Sequence, residues 1–422
     1  MNIISIYFLL LTFWLEQSLD FKLTQITGLS LMNLCLYLML IVWVVSMITR
    51  RKIIEPNPLY KYLALMTFVV VISIVLKEIR GHAGDMILRD EMIALKSWLN
   101  PLVLFVVVYN IIDDEVTNSR VILGLMVLLA VTVTTTQLVT YGIVDPVSDK
   151  VFEDGRAAGF VEPNQYASYL VLFIPLIITY ILNHTVVKTR IAAAVLLVMV
   201  LIDLIGTGSR GGFISLLFAL GVYFFILYRQ KMVRLITLQL IIAATLAIVT
   251  VSFFVTNAQL EETVLDRLDM SESQTLDDYT FGRITLLVNG IELFLQSPLT
   301  GYGQDSFGKM MRKRFGISGN SHNDYLLYLV QYGIIGFGVF IILYLKIFQN
   351  VWNRLERSTD VWKKALYISY IAGFSGYALS MLSVNLFTPR YMFWIYTAVM
   401  FKYIQLDYQE GAVAGRSASK VV

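Results

Sequence analysis

Residues 190–228 read RIAAAVLLVMVLIDLIGTGSRGGFISLLFALGVYFFILY, two long apolar runs joined by a glycine-rich turn. A helix needs about 20 mostly apolar residues to cross hydrocarbon, and in lipid only helices or closed barrels satisfy their own backbone. These runs are continuous rather than alternating in twos, so they read as two antiparallel membrane helices, 190–206 and 212–228. Runs of the same kind recur at 3–19, 27–48, 58–79, 95–112, 121–143, 165–183, 235–256, 323–348, 365–387 and 390–406. The expectation is an all-α integral membrane protein with about 12 transmembrane helices. The first run lacks a basic leader and a small-residue cleavage site, so it reads as a retained helix rather than a signal peptide.

Composition agrees. Of 422 residues, 57% are hydrophobic and 15% charged, against about 25% charged in a soluble domain. Mean hydropathy is +0.70. So little charge cannot solvate several soluble domains, and the same numbers exclude disorder, collagen-like repeats and a disulfide scaffold. Cys35 is the single cysteine and has no internal partner. A net charge of +3, from 33 basic and 30 acidic residues, is too balanced for a nucleic-acid binder.

Basic residues set the orientation. With both termini cytoplasmic, the inside loops collect Arg50, Arg51, Lys52, Arg120, Lys188, Arg190, Arg229, Lys231, Arg234, Arg354, Arg357, Lys363 and Lys364. The resulting division is 1–256 as helices one to nine, 257–322 as a large outer loop, 323–406 as helices ten to twelve, and 407–422 as an unstructured cytoplasmic tail. The outer loop carries helical apolar spacing at Leu260–Leu268 and Ile284–Phe294, as in helices lying on or beside a membrane. Loops of that length are often functional. Glu16, Lys77 and Asp203 fall near helix ends and read as interfacial charges rather than a proton relay.

No phosphate-cradling Gly-Lys-Ser/Thr loop, CxxC, HExxH or Gly-x-Ser-x-Gly pattern is present. His82, His184 and His322 are too scattered for a metal site, so neither metal nor other cofactor is expected.

Four polar clusters remain at the expected outer helix ends. Gly155-Arg156-Ala157-Ala158-Gly159-Phe160 is followed by Glu162-Pro163-Asn164, which also reads simply as a turn and helix cap. Gly206-Thr207-Gly208-Ser209-Arg210-Gly211-Gly212 is a tight reversal whose glycines bare backbone N–H groups beside a permanent cation, a nest suited to phosphate. The bland alternative is a turn whose arginine snorkels to headgroups. Phe281-Gly282-Arg283-Ile284-Thr285-Leu286-Leu287 opens an amphipathic helix; Arg283 and Leu287 share a face, so Leu287 can dock while the guanidinium meets a ligand. A surface ion pair with Asp277 or Asp278 is the alternative. Gly319-Asn320-Ser321-His322-Asn323-Asp324-Tyr325 leads into span ten, with Gly333 and Gly336 beyond. A histidine in a helix's first turn feels the positive dipole end, which favours the neutral imidazole a general base requires. An ordinary interfacial histidine is the plainer reading. Lys309, Arg312, Lys313 and Arg314 form a basic run suited to an anionic lipid headgroup or a lipid-linked diphosphate.

Together these clusters resemble the bacterial O-antigen ligase and O-antigen polymerase superfamily of membrane glycosyltransferases, most strongly over residues 155–340. Arg283–Leu287 matches its Arg-x3-Leu pattern and His322–Gly333 its His-x10-Gly pattern. TGSRGG matches its Ser-Arg-Gly turn, and VEPNQYASYL resembles its Pro-Asn helix start. The resemblance implies a GT-C-like architecture in the bacterial inner membrane, with the reacting face in the periplasm. It implies a glycan donor linked to undecaprenyl diphosphate, no metal, and inversion at the anomeric carbon. His322, Arg210 and Arg283 would be catalytic. Arg156, Asn164, Ser209, Asn323, Lys309 and Arg312 would bind substrate. The acceptor is the lipid A-core for a ligase, or a growing glycan for an O-antigen, capsule or exopolysaccharide polymerase. A polytopic transporter or flippase is the alternative of a different class, and would show mid-bilayer charges and broken helices in both halves.

Overall fold

The computed structural model describes residues 3–19, 30–50, 54–79, 88–145, 151–153, 155–159, 162–232 and 282–418. These residues form α1 (Ile3–Gln17), α2 (Leu31–Arg50), α3 (Tyr60–Ile79), α4 (Leu88–Ile111), α5 (Glu115–Thr140), the hairpin β1 (Phe152–Glu153) and β2 (Arg156–Ala157), α6 (Pro163–Asn183), α7 (Val187–Gly206) and α8 (Arg210–Arg229). After 282 come α9 (Arg283–Gln296), α10 (Phe307–Phe315), α11 (Asp324–Arg357), α12 (Val361–Ser380) and α13 (Pro389–Ala418). Eight of them, α2 to α8 and α11, are long and apolar enough to cross a membrane. The expected span 235–256, the segment Leu260–Leu268, and Asp277, Asp278 and His82 lie outside the described residues.

The centre of the bundle is α6, in which every residue from Gln165 to Tyr180 is buried. It can be enclosed because α12 presents glycine to it. A Cβ at Gly373 would collide with the Leu172 carbonyl, and one at Gly376 would lie 2.7 Å from Val171 and 2.8 Å from Ala219 of α8. Small residues of this kind let backbones approach where lipid supplies no hydrophobic drive. α13 packs along α4 on the other side.

α11 is not one straight helix. Gly333 sits at φ 62°, ψ −168°, a conformation open essentially to glycine alone. Residues 298–303 meet four of the backbone groups at the break. Tyr302 and Gly303 N–H donate to the Val330 and Gln331 carbonyls (2.9 and 2.8 Å), while Ile334 and Ile335 N–H donate to Pro298 and Leu299 (2.8 and 3.3 Å). Sequence reading placed span ten at 323–348 with Gly333 and Gly336 in it and did not anticipate this bend.

Three further expectations are corrected. The tail is helical as far as Ala418 rather than unstructured, because Asp407 is buried in an ion cluster. It accepts from Arg354 (2.8 Å), Lys363 (2.7 Å) and Tyr367 (3.0 Å), and Arg354 also lies over the Tyr408 ring. Second, Lys77 and Asp203 do lie near helix ends but are buried by protein. Lys77 pairs with Glu91 and donates to the Gln304 carbonyl, and Asp203 accepts from the Tyr166 hydroxyl. Third, the span expected at 365–387 ends at Ser380, so 381–388 is a connecting loop.

Candidate active site at one end of the bundle

The loops before α6, α8, α11 and α13 meet at one end of the bundle. β1 and β2 turn through Gly155 (φ 72°) and lay Arg156 against the end of α7, where its Nε donates to the Thr207 carbonyl at 2.6 Å. Arg156 Nη2 lies 3.5 Å from Asn164 Oδ1, and Asn164 Nδ2 donates to Glu162. Pro163 opens α6, where its missing N–H costs nothing. Thr207 ends α7, Gly208 (φ 56°) reverses the chain, and Ser209 caps α8 by accepting from Gly212 N–H at 3.2 Å. The glycines here serve packing as much as exposure. A Cβ at Gly212 would lie 2.6 Å from Ala167 of α6, and one at Gly211 would strike Ser383 in the 381–388 loop. Arg210 is therefore the first residue of a helix wedged between two elements of the site.

His322 does not occupy a helical first turn. Asn323 is the cap of α11, its Oδ1 accepting from Leu326 N–H at 3.0 Å, and His322 stands just outside the helix with φ 46°. Its left-handed backbone is held from both sides. Asn385 Nδ2 donates to Ser321 Oγ (2.9 Å) and Asp324 Oδ1 (3.1 Å). Leu386 N–H donates to Asp324 Oδ2 (3.0 Å), and Asp324 N–H donates to the Met381 carbonyl (2.8 Å). Strain of this kind persists only where surroundings enforce it. Gln165 Oε1 accepts from Thr388 N–H at 3.3 Å, tying the same loop to α6.

Arg283 opens α9 behind Gly282 (φ 73°). The residues that dock this helix are Leu286, Gly290 and Leu293, whereas Leu287 is exposed. Gly290 lies against Leu326, and Leu286 faces Gly319 in the loop before His322. The helix face is thus turned by one residue from the expected Leu287 anchor, and Arg283 still comes within electrostatic range of His322. Burial first, and the Arg283 guanidinium second, push the imidazole below its ordinary value of 6.5, with Glu162 pulling the other way. His322 is consequently neutral near pH 7, by burial and a neighbouring cation rather than by a helix dipole.

Lys309 and Arg312 are on the exposed face of α10, where Lys309 pairs with Asp305 (3.2 Å) and Arg312 Nε donates to Ser318 Oγ (3.2 Å). The structure thus gathers Arg156, Asn164, Ser209 and Arg210 in one group and Arg283 with His322 in another. Glu162 touches both, through Asn164 and through its influence on His322. Ser209 and Asn323 have caps to make. Sequence reasoning assigned no role to Asn385, although an asparagine in an apolar run four residues before Pro389 marks the end of a helix, and it overlooked Arg390. Among the described residues, no group of three or more His, Cys, Asp or Glu side chains is placed to hold a metal ion.

Comparison with known proteins adds one match: residues 192–341 fit the family model described as O-antigen ligase. The match covers α7 from its second turn, the Ser209-Arg210 turn, α9, α10, the His322 loop and α11 past its bend. Arg156 and Asn164 fall before it. No curated protein matches the chain. Members of that family are glycosyltransferase-like enzymes acting on lipid-linked glycans, and the match over residues 192–341 supports the O-antigen ligase/polymerase superfamily for this chain.

Proposed function

We propose that the chain transfers a glycan from a polyprenyl diphosphate, undecaprenyl diphosphate by family resemblance, to a sugar hydroxyl at the end of the bundle that bears His322. The observation that carries this reading is a conformationally fixed, partly buried histidine within electrostatic range of Arg283 and Glu162, with Arg156 reached from Glu162 through Asn164. The acceptor hydroxyl oxygen bonds to the anomeric carbon as the bond from that carbon to the diphosphate oxygen breaks. Neutral His322 takes the hydroxyl proton and releases it to solvent. Diphosphate leaves with its own negative charge, so the arginines need only neutralise it, with charge-assisted and bidentate hydrogen bonds. Attack opposite the leaving group inverts the anomeric centre. Asn164 and Ser209 shape the donor side, Asn323 holds the helix start, and Lys309 and Arg312 attract the anionic donor to the surface.

In this reading both termini are cytoplasmic, residues 257–322 lie in the periplasm, and the protein sits in a bacterial inner membrane. We favour the ligase, with the lipid A-core as acceptor, because of the His322–Gly333 pattern; a polymerase extending a lipid-linked glycan uses the same chemistry.

Complementation of a deletion strain tests it. Arg210→Ala, Arg283→Ala and His322→Ala, present at wild-type levels in the membrane, should each fail to restore surface glycan on a gel. Full transfer by all three sinks the proposal. In the deletion strain, accumulated lipid-linked polymer means ligase, and single repeats on the acceptor mean polymerase.

A further inference from the structure

Beneath the His322 loop lies a cavity of about 110 Å³ between α3, α4, α11, α12 and α13. Its mouth is at Asn320, Asp324 and Arg390; it runs inward past Trp98 and Tyr377 to Met66. Met66 lies eleven residues before Lys77, about 16 Å along α3 from its site end at 1.5 Å per residue, so the cavity's far wall is well inside the bundle. Its walls are aromatic faces interrupted by hydrogen-bonding groups.

One of those groups is sealed off with nothing to bond: the Tyr377 hydroxyl is fully buried and without a partner. The Gln331 side chain, 7% exposed, lines the same cavity and makes no side-chain hydrogen bond among the described residues. A buried amide or hydroxyl left unbonded is costly, and native structures rarely keep one without a reason. The groove between α1 and α5 is of another kind, about 350 Å³ walled by Leu10, Leu11, Leu123, Val127 and Val131, and it suits a hydrocarbon chain.

We propose that the cavity beneath the His322 loop is a sugar subsite that takes one pyranose ring of the acceptor glycan. Aromatic rings accept the C–H face of a pyranose, and the Gln331 amide and Tyr377 hydroxyl bond its hydroxyls. Arg390 stands at the mouth, its Nε fixed on the Phe387 carbonyl at 2.8 Å, and selects for electron-rich oxygens there. Asp324 connects the subsite to catalysis, because it lines the mouth and also holds the loop that carries His322. The acceptor side of this assignment rests on the glycosyltransferase reading; the sugar subsite itself does not.

The test is saturation-transfer NMR on the full-length protein in nanodiscs. The probes are methyl α-glucopyranoside, methyl α-galactopyranoside and methyl N-acetyl-α-glucosaminide at millimolar concentration, with geranyl phosphate as the competing lipid fragment. Wild-type protein should bind at least one glycoside, and Tyr377→Phe and Gln331→Leu should each weaken it about tenfold, the effect of one hydrogen bond. Their unfolding temperatures should equal or exceed wild type, since neither group has a partner to lose; a purely structural role would lower both. The proposal is overturned if no glycoside binds, if both variants bind as wild type does, or if they weaken geranyl phosphate instead. His322→Ala should still bind the glycoside. If His322→Ala keeps transfer while the two cavity variants lose sugar binding, the catalytic reading fails and the subsite stands.

Discussion

Replacing Gly333 by alanine should straighten α11 and release the segment that joins α9 to α10. At φ 62° and ψ −168° an alanine is strained by about 1–3 kcal/mol. In a straight helix alanine is better than glycine by about 1 kcal/mol. Together the two effects shift the balance from bent to straight by roughly 2–4 kcal/mol, about thirtyfold to a thousandfold. The new Cβ would also lie 2.5 Å from the Thr300 nitrogen and collide with the Leu299 carbonyl, which adds to the push. Straightening leaves α11 with regular internal bonds, since Ile334 and Ile335 N–H can return to the Val330 and Gln331 carbonyls. The loss falls on residues 298–303, whose four bonds to α11 disappear. The bundle should therefore stay folded while the 298–303 segment becomes open to protease and transfer falls at least about tenfold. Gly338→Ala on the same helix meets nothing within 4 Å and is the matched control, expected to be neutral. A Gly333→Ala protein with wild-type transfer and a protected 298–303 segment would refute the reasoning.

Four further outcomes can be measured. Arg283→Gln removes one of the two influences holding His322 down, so its pKa should rise and the acid limb of kcat/KM should move to higher pH; an unmoved limb separates the two residues. Asn385→Leu leaves Ser321 and Asp324 without their shared partner, and should lower kcat about tenfold or more with little change in donor KM. Gly373→Val drives a side chain into the Leu172 carbonyl, and should destabilise the detergent-solubilised protein by about 1–3 kcal/mol in thermal unfolding. Asp407→Asn takes from the mostly buried Arg354 its carboxylate and leaves Lys363 with Glu115 (3.3 Å), and should cost about 3 kcal/mol without moving the pH profile.

The helices were legible because hydrocarbon demands long apolar runs, and eleven of the twelve expected runs coincide with described helices. The clusters around Arg156, Arg210, Arg283 and His322 were legible because each charge or polar group interrupts an apolar text. What could not be read is whatever depends on partners distant in sequence. Nothing local tells Leu286 from Leu287 as the residue that docks α9; that choice is made by Leu326 and Gly319. Nothing local places Asn385 beside Ser321, 64 positions away. The same limit explains Lys77 and Arg354, which read as an interfacial charge and an inside-loop charge but find Glu91 and Asp407 inside the protein.

The bend in α11 bears directly on the rival transport reading, since broken helices are how many transporters bind ions and substrates at mid-membrane. A helix broken for that purpose keeps its freed carbonyls and N–H groups for the cargo. Here residues 298–303 occupy the carbonyls of Val330 and Gln331 and the N–H groups of Ile334 and Ile335, so these four groups are already bonded within the protein. The bend acts as an anchor instead. Gly303 packs so closely on α3 that a Cβ there would lie 2.8 Å from the Ser73 carbonyl, and Lys77 of α3 bonds the Gln304 carbonyl. Just before the bend, Leu326 receives Gly290 of the helix that Arg283 opens. One bent helix therefore fixes, within its first three turns, both the histidine loop and the arginine that, after burial, lowers that histidine's pKa. A transporter must let such contacts break in every cycle; a transferase that acts on a lipid-borne diphosphate needs them to stay made.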